Sequence, residues 1–365
     1  MNGVPVLSRV RAWVELIHYL DAAGWPARNA VGEVPNRTPF GIDELAHHGV
    51  DVVFRPSMKG RIPKAVARRV RARLGGLEYF EALMASRNSL RRSADVVLCW
   101  DEFTGIPAVA LPFRPPVVSG VQLLTDPSGR SKGFLRRARA ALDKMDAVFV
   151  QSHGQIPVMR DEWGVPERKL RFVPFGVDGS WFRPSPDGVD RDLVVSVGDD
   201  PHRDHETLVK ALSEVRRRRS GTRLNLATQL DVDLPPELGT LHRGHLGPLR
   251  RQYYGTASIV AVATRPNIHG SGMSVVLEAM ACGRPYVVTA SEGLEGYVKH
   301  GHDGLVVPPG DVDMFASAVY ALLSDPDRAD AMGAAGRARL ERDLTTHTQA
   351  RHLADLIKEV TGHVG

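Results

Sequence analysis

A glycine loop, an apolar helix and an apolar strand follow one another in residues 267–311, and this segment constrains the fold more than any other. The loop contains Gly-Ser-Gly at residues 270–272, the helix carries one carboxylate, Glu278, and Tyr286 begins the predicted strand. A glycine loop that opens a helix presents backbone N–H groups and the positive end of the helix dipole to a phosphate. An acid one turn further along suits the hydroxyls of a ribose. The segment therefore predicts a nucleoside-diphosphate site.

Strand and helix patterns alternate along the rest of the chain, which is typical of parallel α/β domains. The predicted strands are residues 50–55, 95–100, 117–123, 147–151, 193–198, 223–227, 259–263 and 286–290. The predicted helices are residues 12–23, 65–90, 134–144, 205–219, 249–254 and 346–360. A proline-rich segment, residues 181–188, separates two such series, so we expect two Rossmann-like halves in residues 1–184 and 185–345. A strand before the first helix is predicted to be short or missing.

Composition narrows the class of protein. A chain of 365 residues exceeds what one hydrophobic core usually organises, which agrees with two domains. The formal charge of +5 comes with arginine clusters that favour solvated helix faces or contact with an anionic partner. The sequence has no apolar run long enough to span a membrane and no secretory signal. Its two cysteines, Cys99 and Cys282, lie in apolar segments and do not suggest a disulfide framework. We therefore expect a protein of the reducing cytoplasm.

The segment at residues 267–311 resembles the donor-site signature of the retaining GT-B glycosyltransferases of family four. Two sequence motifs carry this resemblance, LEAMACG at residues 277–283 and GLVVPPGD at residues 304–311. It implies an α/β fold of the GT-B type, in which two Rossmann-like domains face each other across a cleft. It also implies a retaining, metal-independent hexosyl transfer, with a nucleotide-diphosphate sugar as donor substrate and no tightly bound cofactor.

The resemblance implies a set of donor-binding residues around the loop. Glu278 takes the position of the glutamate that binds the ribose hydroxyls, and a charge-assisted pair with a diol is stronger than a neutral one. An earlier glutamate of the family falls on Gly270 here. The loop instead offers backbone N–H groups to phosphate or sugar hydroxyls. The residues implied are Gly270, Ser271, Gly272, Met273 and Ser274, with His269 as a further contact.

A second element follows the strand at residues 193–198. In the family an arginine and a lysine here bind the diphosphate and stabilise the charge that builds on it. Arg203 takes the lysine position if the turn is one residue shorter, whereas Asp199 stands where the arginine belongs. Either Arg203 therefore acts nearly alone, or Arg265 helps from the opposite loop. His245, against the nucleobase, and Glu295, beside the donor sugar, complete the predicted donor site.

In the N-terminal half, residues 116–122 resemble the strand that ends in an active-site histidine, and that histidine falls on Gln122. Glutamine donates a hydrogen bond but does not exchange protons near neutral pH. In the front-face mechanism that the family implies, the departing phosphate oxygen takes the acceptor proton. The protein mainly positions and polarises the reacting groups. The predicted catalytic residues are therefore Gln122 and Arg203, with Asp126 on the acceptor side.

Several alternatives stay open at this point. The last helix, residues 346–360, either crosses back onto the N-terminal domain or caps its own. The acceptor is expected to be a small molecule, a natural product or a cell-envelope component; no nucleic acid partner is expected, and peripheral membrane contact is compatible with the arginines. The rival functions are a GT-B sugar phosphorylase or epimerase, and a non-catalytic nucleotide- or nucleic-acid-binding protein with a degenerate donor site. Steep salt dependence of DNA binding would favour the last.

Overall fold

The computed structural model describes residues 9–112, 114–124, 127 and 131–363. They are built on two parallel sheets of six strands each. The first has the strand order β2-β1-β3-β4-β5-β6, with β1 Val10–Glu15, β2 Val50–Phe54, β3 Val96–Cys99, β4 Val117–Val121, β5 Ala147–Val150 and β6 Leu170–Phe172. The second has the order β12-β11-β10-β7-β8-β9, with β7 Asp190–Val197, β8 Arg223–Ala227, β9 Gly239–His242, β10 Ala257–Val262, β11 Tyr286–Thr289 and β12 Gly304–Val307.

Helices cover both faces of each sheet, as parallel sheets require. The α-helices are α1 Trp25–Ala30, α2 Arg61–Arg73, α3 Tyr79–Ala85, α4 Ser89–Arg92, α5 Glu102–Val109, α6 Lys132–Lys144, α7 Gln155–Pro157, α8 His205–Arg218, α9 Leu249–Thr256, α10 Met273–Ala281, α11 Val312–Ser324, α12 Pro326–Asp343 and α13 Thr346–Thr361. 3-10 helices lie at Pro39–His48, Glu167–Lys169 and Glu292–Leu294, and a π-helical turn at Val158–Glu162. No helix in the described part of the chain combines the length and the apolar character needed to cross a bilayer.

The sheets differ in their strand order. In the second sheet the order in which successive strands are added reverses between β7 and β10. This is the doubly wound order of the dinucleotide-binding fold. In such sheets ligands bind outside the carboxyl ends of the strands on either side of the reversal. The first sheet ends at β2 on one side, so it has one strand fewer on that side of β1. The linker between β6 and β7 contains the predicted boundary at residue 184.

The prediction of a helix at residues 12–23 and of a short or missing first strand is wrong. Residues Val10–Glu15 form β1, which lies inside the sheet between β2 and β3. Ala12, Trp13 and Val14 are all buried, because the strand is covered on both faces. Such a strand has a continuous apolar pattern rather than an alternating one. A short apolar run of this kind is ambiguous between a strand and a buried helix. The predicted helix at residues 65–90 is also wrong.

Glycines break that second predicted helix. Gly75 and Gly76 have φ angles of +66° and +90°, which helix interiors do not accommodate. The chain therefore forms α2, α3 and α4 as separate short helices. Of these, α2 is the most basic, and Ala67 is its buried residue.

The final helix α13 crosses back to the N-terminal domain, which was one of the two open alternatives. Ala350, Leu353 and Ile357 share a hydrophobic core with Leu45 and Val50 from the first domain. The Gln349 side chain, also on α13, donates its Nε2 to the carbonyl of residue 40 at 2.9 Å. The N-terminal domain is therefore completed by the C-terminal end of the chain.

Candidate active site

Arg203 is buried in the turn between β7 and α8. Its backbone N–H donates to the Asp200 carbonyl at 2.9 Å, and the following Asp204 caps α8 by accepting from the Thr207 amide. The Nε and Nη1 atoms of Arg203 are buried and have no hydrogen-bond partner among the described residues. Burial lowers the pKa of this guanidinium, while the nearby hydroxyl of Tyr254 and the carboxylates around it oppose the shift. A buried cation with free N–H groups is suited to an anionic ligand.

Two glycines make room for this guanidinium. A Cβ at Gly198 would lie 2.4 Å from Arg203 Nη2, and a Cβ at Gly272 would lie 3.4 Å from Nη1. Gly272 also has a φ of +91°, which favours glycine. The glycine turn after β7 and the glycine loop before α10 therefore enclose the Arg203 side chain from two sides.

The loop before α10 presents fewer free amides than predicted. The Ser271 amide donates to Asn267 Oδ1 at 2.9 Å, and the Met273 amide donates to the Gly270 carbonyl at 2.9 Å. The prediction that these two amides serve a ligand is therefore corrected, because the loop uses them to hold its own turn. Within the part of the chain that the structure describes, the amides of Gly272, Ser274 and Val275 make no hydrogen bond. These three amides remain for an anion at the start of the helix.

Glu278 lies one turn deeper on α10 and is 6% exposed. Its Oε1 is 3.5 Å from Nη1 of Arg250, and the Tyr254 hydroxyl lies beside it. Burial raises the pKa of Glu278, whereas Arg250, Tyr254 and Arg203 act to lower it. Arg250 and Tyr254 were not predicted from the sequence. Their spacing of four on α9 puts both side chains on one helix face and was the available signal.

The residues around Arg203 and Glu278 line one cavity, here called the C-terminal cavity, of about 310 Å³. It lies outside the carboxyl ends of β7 and β10, at the reversal of the strand order. Its lining residues are Val197, Gly198, Asp199, Asp200, Arg203, Arg250, Tyr254, His269, Gly270, Ser271, Gly272, Ser274, Val275 and Glu278. The predicted residues Glu278, Arg203, His269, Gly270, Ser271, Gly272 and Ser274 are thus brought together.

Four other predicted donor-site residues lie outside the lining of this cavity. Arg265 braces the turn at Arg203, since its Nη1 donates to the Pro201 carbonyl at 3.2 Å. His245 is exposed in the loop after β9, and Glu295 is exposed after the 3-10 helix Glu292–Leu294. Met273, at the first position of α10, is buried in the core of the domain.

Asp199, in the position where the resemblance implies an arginine, has a structural partner. Its Oδ1 accepts from the Gln229 amide at 2.5 Å and from the Thr228 hydroxyl at 3.2 Å. Thr228 in turn lies 3.2 Å from Nε2 of the buried His205. The carboxylate therefore joins the ends of β7 and β8, which accounts for an acidic residue in this turn.

Asp200, His202 and His269 form a polar cluster at the rim of the C-terminal cavity. Asp200 Oδ2 is 2.8 Å from His269 Nε2, and Asp200 Oδ1 is 3.2 Å from His202 Nδ1. Burial would raise the pKa of Asp200, but hydrogen bonds from His269 and from the His202 amide outweigh it and hold that pKa well below its usual range. The cluster connects the turn after β7 to the loop before α10.

In the N-terminal domain, Gln122 follows β4 and is held by its neighbours. Its Nε2 donates to Gln151 Oε1 at 3.0 Å, and its amide donates to the Glu102 carboxylate at 2.9 Å. The adjacent acid, Asp101, is buried, and burial and Glu102 raise its pKa to about 7. The predicted acceptor-side residue Asp126 lies outside the described residues.

Gln122 is linked to the second domain through Gln151, its side-chain hydrogen-bond partner. The Tyr297 hydroxyl donates to the Gln151 carbonyl at 2.6 Å and accepts from the Phe175 amide at 2.8 Å. The end of β4 is therefore connected to the segment that follows β11.

A second cavity, here called the N-terminal cavity, lies at the carboxyl ends of β1 and β2 and has a volume of about 870 Å³. Its walls are largely apolar and include Val14, Leu16, Ile17, Leu20, Phe54, Met58 and Met84. Its basic residues are Arg55, Lys59, Arg61, Lys64, Arg68 and Arg71. Arg55 is itself buried between Glu15 and Glu78, with its Nη2 2.5 Å from Glu78 Oε2. The lining therefore combines apolar and basic side chains, with Asp21 and Glu81 as its acidic residues, of which Glu81 is paired with Arg71.

Comparison with known proteins agrees with this architecture. Residues 191–325 match the family described as glycosyl transferases group 1. The chain is 33% identical over 223 residues to the GDP-mannose-dependent alpha-(1-6)-phosphatidylinositol monomannoside mannosyltransferase of Mycolicibacterium smegmatis, which covers 53% of this chain and 57% of the relative. It is 29% identical over 255 residues to the D-inositol 3-phosphate glycosyltransferase of Kineococcus radiotolerans, covering 59% of this chain and 57% of that protein. The chain thus spans little more than half the length of these relatives.

Solved structures resemble the whole chain. The sucrose-phosphate synthase of Thermosynechococcus elongatus superposes with a TM-score of 0.71 at 20% identity, covering 98% of this chain and 100% of the other. HepE of Anabaena, solved in complex with UDP-glucose, superposes with a TM-score of 0.66 at 15% identity, covering 96% of this chain and 100% of the other. The predicted fold is confirmed, since the chain has the GT-B fold, and residues 191–325 are similar to the glycosyl transferases group 1 family.

Proposed function

We propose that this chain is a retaining glycosyltransferase that binds a nucleoside-diphosphate sugar in the C-terminal cavity. The observation that carries the proposal is the buried Arg203 guanidinium, whose Nε and Nη1 are without partners among the described residues. The free amides at the start of α10 belong to the same site, since Gly272 and Ser274 also line this cavity. A diphosphate would satisfy both sets of donors.

Glu278 is proposed to accept hydrogen bonds from the ribose hydroxyls. It is buried one helical turn beyond the amides, so a ribose attached to a diphosphate at those amides reaches it. Arg250 keeps the carboxylate anionic from the other side. The sugar would then extend toward Gly270 and His269.

The reaction we propose breaks the bond between the anomeric carbon and the β-phosphate oxygen and forms a bond from an acceptor hydroxyl on the same face of the sugar. The proton of that hydroxyl moves to the departing phosphate oxygen, so the protein need not supply a base. Arg203 and the amides of α10 stabilise the charge that develops on the diphosphate, a contribution of several kcal/mol in comparable sites, about 2.7–4 for a single donor. Gln122 would position the acceptor or the sugar through its side-chain amide.

The N-terminal cavity supports an acceptor that combines an apolar part with an anionic head. Its lining contains both apolar and basic side chains, so one molecule can contact both. One relative is named for phosphatidylinositol monomannoside, which has both an apolar and an anionic part, and the other for D-inositol 3-phosphate, which shares only the anionic part. Because the alignments cover only part of those proteins, GDP-mannose and inositol phosphates are the first compounds to test, alongside other cell-envelope and natural-product acceptors.

Nucleotide binding tests the proposal. GDP, UDP, TDP and ADP are titrated by calorimetry into the wild-type chain and into Glu278→Gln, with Glu237→Gln, an exposed acid of the same domain, as the matched control. We expect the best nucleotide to lose about 1.5–3 kcal/mol of binding free energy in Glu278→Gln and none in the control. A 2′,3′-dideoxy analogue should bind both wild type and Glu278→Gln equally weakly. Full discrimination for ribose in Glu278→Gln would refute the assignment of that residue.

Transfer itself needs a separate measurement. With the preferred nucleotide sugar and an acceptor, the anomeric configuration of the product, read from its NMR coupling constant, distinguishes retention from inversion. Phosphate-dependent cleavage of a disaccharide would instead favour the phosphorylase alternative. Metal independence, which the resemblance implies, is tested by the same assay with and without a chelator.

A further inference from the structure

The loop before α10 has no room for a side chain at residue 270. Gly270 has a φ of +78°, and a Cβ there would lie 3.0 Å from the Gly293 carbonyl oxygen. A φ in this region favours glycine, because other residues adopt it only with strain. Polar contacts at this end of the C-terminal cavity must therefore come from neighbouring residues, and the preceding residue is His269.

His269 has an imidazole with one engaged nitrogen and one free nitrogen. The residue lines the C-terminal cavity, and its side chain is 9% exposed. Its Nε2 lies 2.8 Å from Asp200 Oδ2. Its Nδ1 makes no hydrogen bond with the part of the chain that the structure describes. A largely buried ring whose second nitrogen has no partner is suited to a polar group of a ligand.

Asp200 decides which of these two nitrogens carries the proton. Its Oδ1 accepts from the His202 amide at 2.7 Å, and its Oδ2 faces the His269 ring. Burial would raise the pKa of Asp200, but the hydrogen bonds outweigh it and hold that pKa well below its usual range. The carboxylate is therefore ionised and can only accept, so the proton of the contact is on Nε2 of His269. In the neutral imidazole the free Nδ1 is then a hydrogen-bond acceptor.

The order of the site along α10 puts the transferred sugar beside this imidazole. In the proposed function the ribose is bound at Glu278 and the diphosphate at the amides of the first turn. A nucleotide sugar carries its sugar and its ribose at opposite ends of the diphosphate. The sugar therefore lies beyond the start of α10, at Gly270 and His269, which both line the cavity.

We propose that His269 Nδ1 accepts a hydrogen bond from a hydroxyl of the transferred sugar, and that Asp200 is the positioning residue that fixes the ring and its tautomer. This inference rests on the proposed function and deepens it. The acceptor nitrogen selects sugars that carry a free hydroxyl at this point over analogues that are deoxygenated or alkylated there. Such an analogue would leave a buried acceptor unpaired, and sites built around a hydrogen bond discriminate strongly against that.

Two variants separate the roles of the two ring nitrogens. In His269→Gln the side-chain amide reaches the position of Nε2, so the contact with Asp200 is kept and the Nδ1 acceptor is lost. In His269→Asn the amide lies at the position of Nδ1, so an acceptor is kept and the contact with Asp200 is lost. His302→Gln is the matched control, because that exposed histidine also faces an aspartate, at 3.9 Å. Thermal unfolding first verifies that each protein is folded.

Calorimetry compares each nucleoside diphosphate with its sugar ester in these four proteins. The pairs are GDP with GDP-mannose, UDP with UDP-glucose and with UDP-galactose, and TDP with TDP-glucose. For the pair that wild type binds most tightly, we expect His269→Gln to weaken binding of the nucleotide sugar at least about fivefold and to leave the affinity for the diphosphate unchanged. His269→Asn should lie closer to wild type than His269→Gln does, and the control should match wild type.

Histidine nitrogen NMR tests the role of Asp200 and decides the matter if His269→Gln fails to fold. We expect the proton of the His269 ring to be on Nε2 in wild type and to be shared between both nitrogens in Asp200→Asn. The Nδ1 resonance should shift when the nucleotide sugar binds and stay in place when the diphosphate binds. A protonated Nδ1 in wild type, or the same shift with both ligands, would overturn the inference.

The titrations distinguish failure of this inference from failure of the proposed function. Wild-type affinity of His269→Gln for the nucleotide sugar would refute the sugar contact and leave nucleotide binding as proposed. An equal loss for the nucleotide sugar and the diphosphate would also refute it, because it indicates a purely structural role. Absence of binding of every nucleotide to wild type would instead refute the proposed function, and this inference with it.

Discussion

The C-terminal and N-terminal cavities lie at the carboxyl ends of strands in their respective sheets, yet they are built from different kinds of chain segment. The C-terminal cavity is made by two glycine turns and one helix face, with Arg203 and Glu278 buried among them. The N-terminal cavity is larger and is covered by α2, a basic helix with one buried residue. The first arrangement fixes a few polar atoms, and the second provides volume, an apolar wall and diffuse charge.

Under the proposed function, this difference corresponds to a division of donor and acceptor recognition between the two domains. A diphosphate and a ribose are the same in every activated sugar of one nucleotide, so a site of fixed N–H groups and a single acid suits them. Acceptors vary in size and polarity, and a wide cavity with several basic side chains accommodates that variation. The four predictions that follow test this division, from the largest expected effect to the smallest.

The N-terminal domain depends on α13 for its core. Leu353→Ala removes a buried side chain that packs against that domain, and we expect the free energy of unfolding to fall by about 2–5 kcal/mol. Met314→Ala, at a position 50% exposed on α11, is the control and should change it little. Urea unfolding gives both values. Equal effects would mean that the first domain is stable without the helix.

The C-terminal cavity depends on close packing at a glycine. In Gly272→Ala the new Cβ would meet Val262 Cγ1 at 2.7 Å at a φ of +91°, so we expect a loss of about 1–3 kcal/mol in stability and weaker nucleotide binding. Gly310→Ala shares a positive φ, +73°, but meets nothing within 4 Å. It should therefore cost only the backbone strain and leave nucleotide affinity unchanged. Equal effects of the two variants on stability and on nucleotide affinity would contradict the importance of close packing at Gly272.

Asp101 makes the N-terminal domain sensitive to pH. Burial, then Glu102, raises its pKa to about 7, so the folded state resists an ionisation that the unfolded chain undergoes near pH 3.8. This costs stability as the pH rises toward 7. Asp101→Asn keeps an N-cap acceptor, and we expect it to be more stable than wild type by about 1–3 kcal/mol at pH 8, with the gain fading toward pH 4. Asp311→Asn, at another N-cap, is the control whose effect should not vary in this way.

His205 gives the C-terminal domain the opposite dependence. Burial and Arg203 lower its pKa to about 4, so the unfolded chain takes up a proton below pH 6.5 that the folded state refuses. Stability is therefore lost as the pH falls from 6.5 toward 4. Between pH 7 and pH 5 we expect wild type to lose about 1–2 kcal/mol more than His205→Gln, measured by urea unfolding. Parallel curves for the two proteins would contradict this account of the site.

The same contrast explains which elements were predictable. Glu278 and the loop at residues 270–272 could be found from sequence because both lie on one short segment with turn glycines. The strand β1 could not, because Val10–Glu15 is buried on both faces and resembles a buried helix. Helix breaks at Gly75 and Gly76 were missed because an amphipathic pattern continues on either side of them.

The chemistry of the site was predicted less completely than its position. Arg203 was found by its place after β7, but Arg265 stands outside the cavity because it braces that turn instead. Arg250 and Tyr254 reach Glu278 from a helix that ends near residue 256, and no short motif connects them to it. The cluster of Asp200, His202 and His269 depends on a contact between two loops, which spacing along the chain does not reveal.

The central claim is that the buried Arg203 guanidinium binds the diphosphate of the donor, and one calorimetric titration tests it. The preferred nucleoside diphosphate and its nucleoside are titrated into wild type, Arg203→Met and Arg217→Met. Arg217 is an exposed arginine of α8 and provides the control. Thermal unfolding first verifies that each protein is folded. We predict that Arg203→Met loses about 2–3 kcal/mol, or roughly 30–150-fold, for the diphosphate and nothing for the nucleoside, while the control matches wild type. Undiminished diphosphate binding in folded Arg203→Met would contradict the account.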